Sequence, residues 1–238
     1  MTDPVDLSGK IALITGASRG IGAAVAKAYA KAGAHVILVA RSEKGLEDVD
    51  DTIRSESGKA TLMPVDLTNL EDLDKIGPTI FERFSGLDIF VGNAGLLGTL
   101  TPLTHMKSDE WDNVINVNLN ANFRLIRTLD PLLQKSENGR AIFVTTGSSV
   151  THGRAYWGSY GVSKAALETL VNTYADETKN TNMRVNMVEP GTVRTDMRAS
   201  AAPGEDPMTL PTPDEIMPEF LNLAADSETR HGEIVKLY

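Results

Sequence analysis

Short apolar runs alternate with longer amphipathic stretches from one end of the chain to the other. The runs are Ile11–Thr15, Val36–Ala40, Thr61–Val65, Ile89–Val91, Ile142–Thr146, Arg184–Val188 and Ile234–Leu237. Each is a few residues long, rich in branched side chains and without sustained polar alternation, as strands buried on both faces are. Helical patterns fill the intervals at Gly22–Ala32, Gly45–Glu56, Leu70–Phe84, Asp109–Leu133, Tyr160–Asn180 and Asp214–Ala224. Strand-helix-strand alternation predicts right-handed crossovers and an α/β fold, a doubly wound parallel sheet in three layers. No Pro-, Gly- or Ser-rich linker divides the 238 residues, which predicts a single domain over 1–238. Residues 197–213 break the rhythm with Pro203, Gly204, Pro207, Pro211 and Pro213. They follow the sixth strand, so they are expected to form a substrate loop at the carboxyl edge of the sheet, where open α/β folds bind ligands.

Composition narrows the function. A net charge of −9 argues against nucleic acid or an anionic membrane as the main partner, since both need a basic face. The absence of cysteine excludes disulfides, thiolate chemistry and cysteine-ligated metals. No apolar run reaches the roughly 18 residues of a membrane span, and the N-terminus lacks a basic-then-apolar leader pattern. These features predict a soluble cytoplasmic protein. His35, His105, His152 and His231 are scattered without metal-ligand spacing, so no metal site is expected.

Two local patterns carry chemistry. Thr15-Gly-Ala-Ser-Arg-Gly-Ile-Gly22 joins the first strand to the first helix. Glycines there let the backbone approach a pyrophosphate, and the helix N-terminus offers free N–H groups and partial positive charge. The spacing Gly16-x-x-x-Gly20-x-Gly22 differs from the common Gly-x-Gly-x-x-Gly fingerprint. Far downstream, Tyr160 and Lys164 are four apart and share one helix face. A cation beside a phenol favours the phenolate, so Lys164 is expected to lower the Tyr160 pKa and make it a proton shuttle.

Thr15-Gly16-x-x-x-Gly20-Ile21-Gly22, Asn93-Ala94-Gly95, Tyr160-x-x-x-Lys164 and Pro190-Gly191, in that order over nearly the whole chain, resemble the short-chain dehydrogenase/reductase family. The match is to its single-domain oxidoreductase branch. Arg184-Val-Asn to Met197-Arg-Ala-Ser, with Gly95-Leu-Leu-Gly98, further resembles a bacterial branch whose substrate is unassigned. The resemblance implies a Rossmann-type sheet and hydride transfer between a nicotinamide cofactor and a small carbonyl or alcohol substrate. By motif, Tyr160 is the general acid or base, and Lys164 tunes it and binds the nicotinamide ribose. Asn118 matches an asparagine whose helix kink holds a water, although Asn116, Asn120 and Asn122 offer other registers. The family serine stands thirteen residues before the tyrosine, where this chain has Gly147. The neighbouring hydroxyls are Ser148, which the Thr-Gly-Ser-Ser-Val pattern favours, and Thr146.

The same resemblance implies cofactor contacts from Gly16, Ser18, Arg19, Gly20, Ile21 and Gly22, and from Asn93, Ala94 and Gly95. It adds Asp66 and Leu67 near adenine, then Pro190, Gly191, Val193 and Thr195 near the nicotinamide. The second strand ends Val39-Ala40-Arg41-Ser42, without the acid that would select NAD. Arg41 and Arg19 suit a 2′-phosphate, so NADP(H) is the expected cofactor. Glu189 either approaches the nicotinamide or faces solvent. Tyr156 and Trp157 line a substrate pocket or a subunit contact. The segments Asp109–Leu133 and Tyr160–Asn180 resemble the family's interface helices and predict a homodimer or homotetramer. The alternative function is a nucleotide-sensing or scaffold protein of the same fold.

Overall fold

The computed structural model describes residues 4–237. Its strands are β1 (Ile11–Thr15), β2 (His35–Ala40), β3 (Lys59–Pro64), β4 (Ile89–Gly92), β5 (Arg140–Val144), β6 (Arg184–Glu189) and β7 (Ile234–Lys236). They form one sheet in the order β3-β2-β1-β4-β5-β6-β7, and every pairing is parallel. Alternate residues of a strand face opposite layers. Ala12 and Ile14 of β1 join a core with Val25 and Tyr29 of α1 (Gly20–Lys31) and Leu46 and Ile53 of α2 (Glu43–Ser55). Phe220 of a C-terminal helix, Met217–Ala224, completes that layer, and its carbonyl accepts the Tyr29 hydroxyl at 2.8 Å. Leu13 faces the other core, built from α3 (Leu70–Leu73), α4 (Ile76–Phe84), α6 (Ala121–Lys135) and α8 (Gly158–Thr178). Both faces of the central strands are therefore dry, which is why those strands read as unbroken apolar runs. The remaining helices are α5 (Ser108–Ile115), α7 (Ser148–Thr151) and α9 (Asp196–Ala201), so Met217–Ala224 is α10. No helix among the described residues is long and apolar enough to cross a membrane.

Several segments differ from their sequence patterns, among them the expected helix Asp214–Ala224, which is a 3-10 turn at Pro213–Ile216 followed by α10. The single helix expected over Asp109–Leu133 is α5 and α6 joined by a π turn, Asn116–Asn120. Asparagine side chains compete for backbone there: Asn122 Nδ2 donates to the Asn118 carbonyl at 2.9 Å. Leu125 and Leu129, the residues a one-faced helix would leave outside, are both buried. The expected helix Leu70–Phe84 divides into α3 and α4, where the Asp74 carbonyl accepts the Thr128 hydroxyl at 3.0 Å. Strand β5 runs from Arg140 to Val144 rather than from Ile142 to Thr146. Arg140 is buried at its start because its guanidinium donates to the carbonyls of Gly139, Ala225 and Asp226. That burial draws its pKa below the ordinary arginine value.

Residues 197–213 are not one irregular loop. They hold most of α9 and a 3-10 turn at Pro207–Thr209. Thr195 caps α9 by accepting the Arg198 N–H at 3.2 Å. The Arg198 guanidinium then grips Glu205 with both prongs, at 2.5 and 2.7 Å. Arg194 donates to the Leu210 carbonyl at 3.0 Å.

Helix α6 carries the π turn into the layer below the sheet, and α4 holds it there through a glycine. A Cβ on Gly77 would stand 2.2 Å from the Thr128 carbonyl oxygen. Gly77→Ala should destabilise the fold by ~1–3 kcal/mol. A thermal melt should then show a loss of roughly 2–4 °C per kcal/mol. An unchanged melting temperature would contradict this close approach of α4 and α6.

Candidate active site

Strands β1 and β4 are neighbours, and the chain leaves them toward opposite halves of the sheet. That switch point opens a crevice at the carboxyl edge. Thr15 clamps its two sides together. Its buried hydroxyl donates to the Val91 carbonyl at 3.3 Å and accepts the N–H groups of Asn93 and Ala94 at 3.0 and 3.1 Å. Asn93 Nδ2 returns a bond to the Thr15 carbonyl at 2.9 Å. Gly16 has φ +66, and a Cβ there would lie 2.9 Å from Asn93 Nδ2. A Cβ on Gly22 would lie 2.3 Å from the Gly16 carbonyl oxygen. Only glycine lets the first turn of α1 press this closely on the sheet edge. No side chain caps that helix at Arg19, so its N-terminal N–H groups remain available for an anion.

Around this turn stand the other expected cofactor residues. Ser18 and Ile21 are half-buried, and Ser18 abuts Gly45 of α2. The Gly20 backbone faces the Thr195 methyl, which would be 3.5 Å from a Cβ at residue 20. Arg19 and Arg41 are exposed, 3.8 Å from Asp196 and 3.9 Å from Asp66 respectively. Such solvated pairs are weak. Asp66 also accepts the Thr68 backbone N–H at 2.9 Å, and that bond holds its carboxyl below the usual range. Leu67 is buried behind it. Beyond β6, Pro190 and Val193 are buried and Gly191 turns the chain at φ +70.

The downstream motif occupies the same edge. Tyr160 and Lys164 lie on one face of α8, and both are buried. Lys164 Nζ donates to the Val144 carbonyl at the end of β5, at 2.8 Å, and lies 5.9 Å from the Tyr160 ring centre. Burial pulls the lysine down to about 8, and the charge of Glu168 only partly opposes this. Burial also pushes the Tyr160 phenol above its ordinary value, while a hydrogen bond from Thr146 draws it back only in part. The lowered phenol pKa expected from the Tyr-Lys spacing is therefore reversed: desolvation is the largest cause, and Thr146 opposes it only in part.

Of the two candidate hydroxyls, Thr146 is half-buried and is the one whose hydrogen bonding lowers the Tyr160 phenol's pKa. Ser148 is exposed at the start of α7, where its carbonyl accepts bonds from His152. Asn118 is fully buried in the π turn. Its Oδ1 accepts the Leu96 N–H at 2.7 Å, and its Nδ2 donates to the Leu96 carbonyl and to Ser163 Oγ, both at 2.9 Å. Gly95 lies between Asn118 and Lys164: a Cβ there would be 3.6 Å from Asn118 Oδ1 and 3.7 Å from Lys164 Nζ. Asn116 and Asn120 bond each other instead. Ser163 and Glu168 were not singled out from the sequence. The readable signal is their helical spacing from Tyr160 and Lys164.

The flanking residues divide. Glu189 is 2% exposed, which excludes the solvent-facing alternative, and it lies 3.7 Å from Lys236. Trp157 meets the Tyr160 ring edge-on at 5.8 Å, and the Arg154 guanidinium covers its other face at 5.0 Å. Tyr156 is exposed, with φ 73.

Known proteins resemble this chain. The family profile described as short chain dehydrogenase matches residues 10–206. The uncharacterized oxidoreductase YciK of Escherichia coli K12 is 41% identical over 227 residues, covering 94% of this chain and 89% of that protein. A 3-oxoacyl-[acyl-carrier-protein] reductase, FabG of Vibrio cholerae, is 38% identical over 194 residues, covering 81% and 77%. Among solved structures, a short chain dehydrogenase from E. coli CFT073 complexed with NADPH superposes with a TM-score of 0.90 at 40% identity, covering 97% of each chain. One from Shigella flexneri 2a complexed with NADP gives the same values. With the glycine turn and the Tyr160–Lys164 face meeting at one sheet edge, and with these likenesses over nearly its full length, the chain belongs to the short-chain dehydrogenase family.

Proposed function

We propose that this oxidoreductase uses NADP(H) to interconvert a small carbonyl compound and its alcohol in the cytoplasm. The observation that carries the reading is the buried pair Tyr160 and Lys164, with half-buried Thr146 beside the phenol, at the sheet edge that holds the glycine turn. The chain fits the cofactor. The Gly16–Gly22 turn excludes side chains where a pyrophosphate would lie, and Arg19 and Arg41 leave their cationic heads in solvent for a 2′-phosphate. The NADPH and NADP held by the two solved relatives support the choice. Bound there, the nicotinamide would supply or accept the hydride.

The rest of the chemistry belongs to side chains. In reduction the neutral Tyr160 phenol donates its proton to the carbonyl oxygen, and in oxidation the phenolate takes it back. Thr146 donates a hydrogen bond to the same oxygen as negative charge builds on it. The Lys164 ammonium stabilises the phenolate left after transfer and meets the nicotinamide ribose. Asn118 fixes the chain beside Lys164 through Leu96 and lies where a relayed proton would enter. Residues 197–213, gathered by the Arg198–Glu205 pair, form the substrate loop, with Met197 and Met208 exposed toward an apolar group. Exposed Phe123 on α6 and Val162 on α8 support a homodimer or homotetramer through those helices.

Turnover is read as NADPH oxidation with a panel of aldehydes, ketones and the 3-oxoacyl ester ethyl acetoacetate. Tyr160→Phe should lower kcat by at least 10²-fold, within the roughly 10²–10⁴-fold range of general acid catalysis, with NADPH binding intact. Thr146→Val should cost on the order of 10²-fold, and Ser148→Ala little. A wild-type kcat in the phenylalanine variant overturns the mechanism, and the opposite ranking of the two hydroxyls moves the donor to Ser148.

Cofactor choice is tested by titration. Arg41→Ala should weaken NADPH by roughly ten- to a hundred-fold, the worth of one charge-assisted pair, and leave NADH nearly unchanged. Tighter NADH than NADPH binding by the unaltered protein would refute the assignment.

A further inference from the structure

The turn that follows β5 holds a glycine its backbone does not require. Gly147 has φ −59 and ψ 144, an extended conformation open to any residue. A neighbour crowds the side-chain space instead. A Cβ at residue 147 would stand 3.0 Å from Glu189 Oε1, while the next atom, Ser149 Oγ, would be 3.9 Å away. Glu189 closes β6 opposite Lys236 of β7, and its Oε2 lies 3.7 Å from Lys236 Nζ. Along β6, Val188 faces the α1 layer and Met187 the α8 layer, so Glu189 falls on the side of Tyr160 and Lys164.

On the other flank of the same turn, Thr145 is tied to α8. Its hydroxyl donates to Glu168 Oε1 at 2.7 Å. Thr146, the donor proposed above, thus lies between one neighbour fixed by Glu168 and another packed against Glu189. Glycine is the most permissive link a chain can have, and a hydroxyl carried next to one needs an outside contact to hold its direction.

We infer that Glu189 is a positioning residue: its carboxylate fills the side-chain space of residue 147, so that the hydroxyl presented to Tyr160 comes from Thr146. A carboxylate is costly to bury, and the Lys236 ammonium offsets part of that cost. The plain alternative is an ion pair at the sheet edge that touches Gly147 without consequence. The inference rests on Thr146 being the donor proposed above, and the experiment separates the two.

The variants are Gly147→Ser, Glu189→Ala, the two combined, and Thr146→Val in the unaltered and the combined backgrounds. Each is assayed for kcat with NADPH and ethyl acetoacetate, for NADPH affinity, and for melting temperature. Gly147→Ser alone should lower kcat at least ~10-fold and the melting temperature by at least ~2–4 °C through overpacking. Adding Glu189→Ala should restore both, because the space is released. Thr146→Val should cost on the order of 10²-fold alone but less than about 5-fold in the combined background, where the introduced hydroxyl takes over. NADPH affinity should hold throughout.

A harmless Gly147→Ser, or an equal Thr146→Val loss in both backgrounds, overturns the inference. If Glu189→Ala does not fold, Glu189→Asp, one methylene shorter, serves with the same expectation. A Thr146→Val variant of full activity sinks the donor assignment itself. The melting temperatures then still decide whether residues 147 and 189 compete for one space.

Discussion

A buried ammonium organises this protein. Lys164 Nζ sits out of water against a single backbone carbonyl, that of Val144 at 2.8 Å, and burial brings its pKa down to about 8. Removing a charge from water costs several kcal/mol even after relaxation, and a neutral acceptor returns only part of it. The sign follows from linkage. Below pH 8 the lysine is charged in both folded and unfolded chains, so the burial penalty is felt in full. Between about 8 and its ordinary 10.5 the folded chain releases the proton and the unfolded chain keeps it, so stability rises with pH across that window. The fold is thus least favoured by this residue at the pH where the charge is useful, as expected of a functional group rather than a structural one.

Four residues make the two halves of the site interdependent. The connection after β4 runs Asn93-Ala94-Gly95-Leu96. Asn93 and Ala94 lock onto Thr15 and so fix the glycine turn. Gly95 lies beside Lys164 and Asn118, and Leu96 holds Asn118 through two backbone bonds. The places proposed for the hydride carrier and for the proton donor are therefore tied together by one short segment at the switch point of the sheet.

The sheet and most of its helices were legible because buried parallel strands and amphipathic helices leave opposite periodicities in the chain. Tyr160, Lys164 and the Gly16–Gly22 turn were legible as spacings. The π turn was not, since four asparagines within seven residues read as a polar helix face until Asn118 is seen to bond Leu96 and Ser163. Nor could spacing choose between Thr146 and Ser148, because one step along a turn says nothing of where each hydroxyl points. The proline-rich stretch hid α9, whose cap at Thr195 and ion pair from Arg198 to Glu205 are ordinary features at an unpromising composition. The sequence pattern of Glu189 could not reveal its burial, since Gly147 meets it from the turn after β5 and Lys236 from β7.

The most direct measurement is the titration of Lys164 itself. Lysine side chains labelled with ¹³C and ¹⁵N can be followed by NMR through the alkaline range in the ligand-free protein, with Lys164→Met assigning the signal. A single lysine losing its proton near pH 8, about two units before the exposed lysines, is the result this site predicts. A Lys164 signal that titrates near its ordinary 10.5 would mean that the ammonium is solvated, and that the pocket it shares with Tyr160 is not the dry, charged one that the proposed chemistry needs.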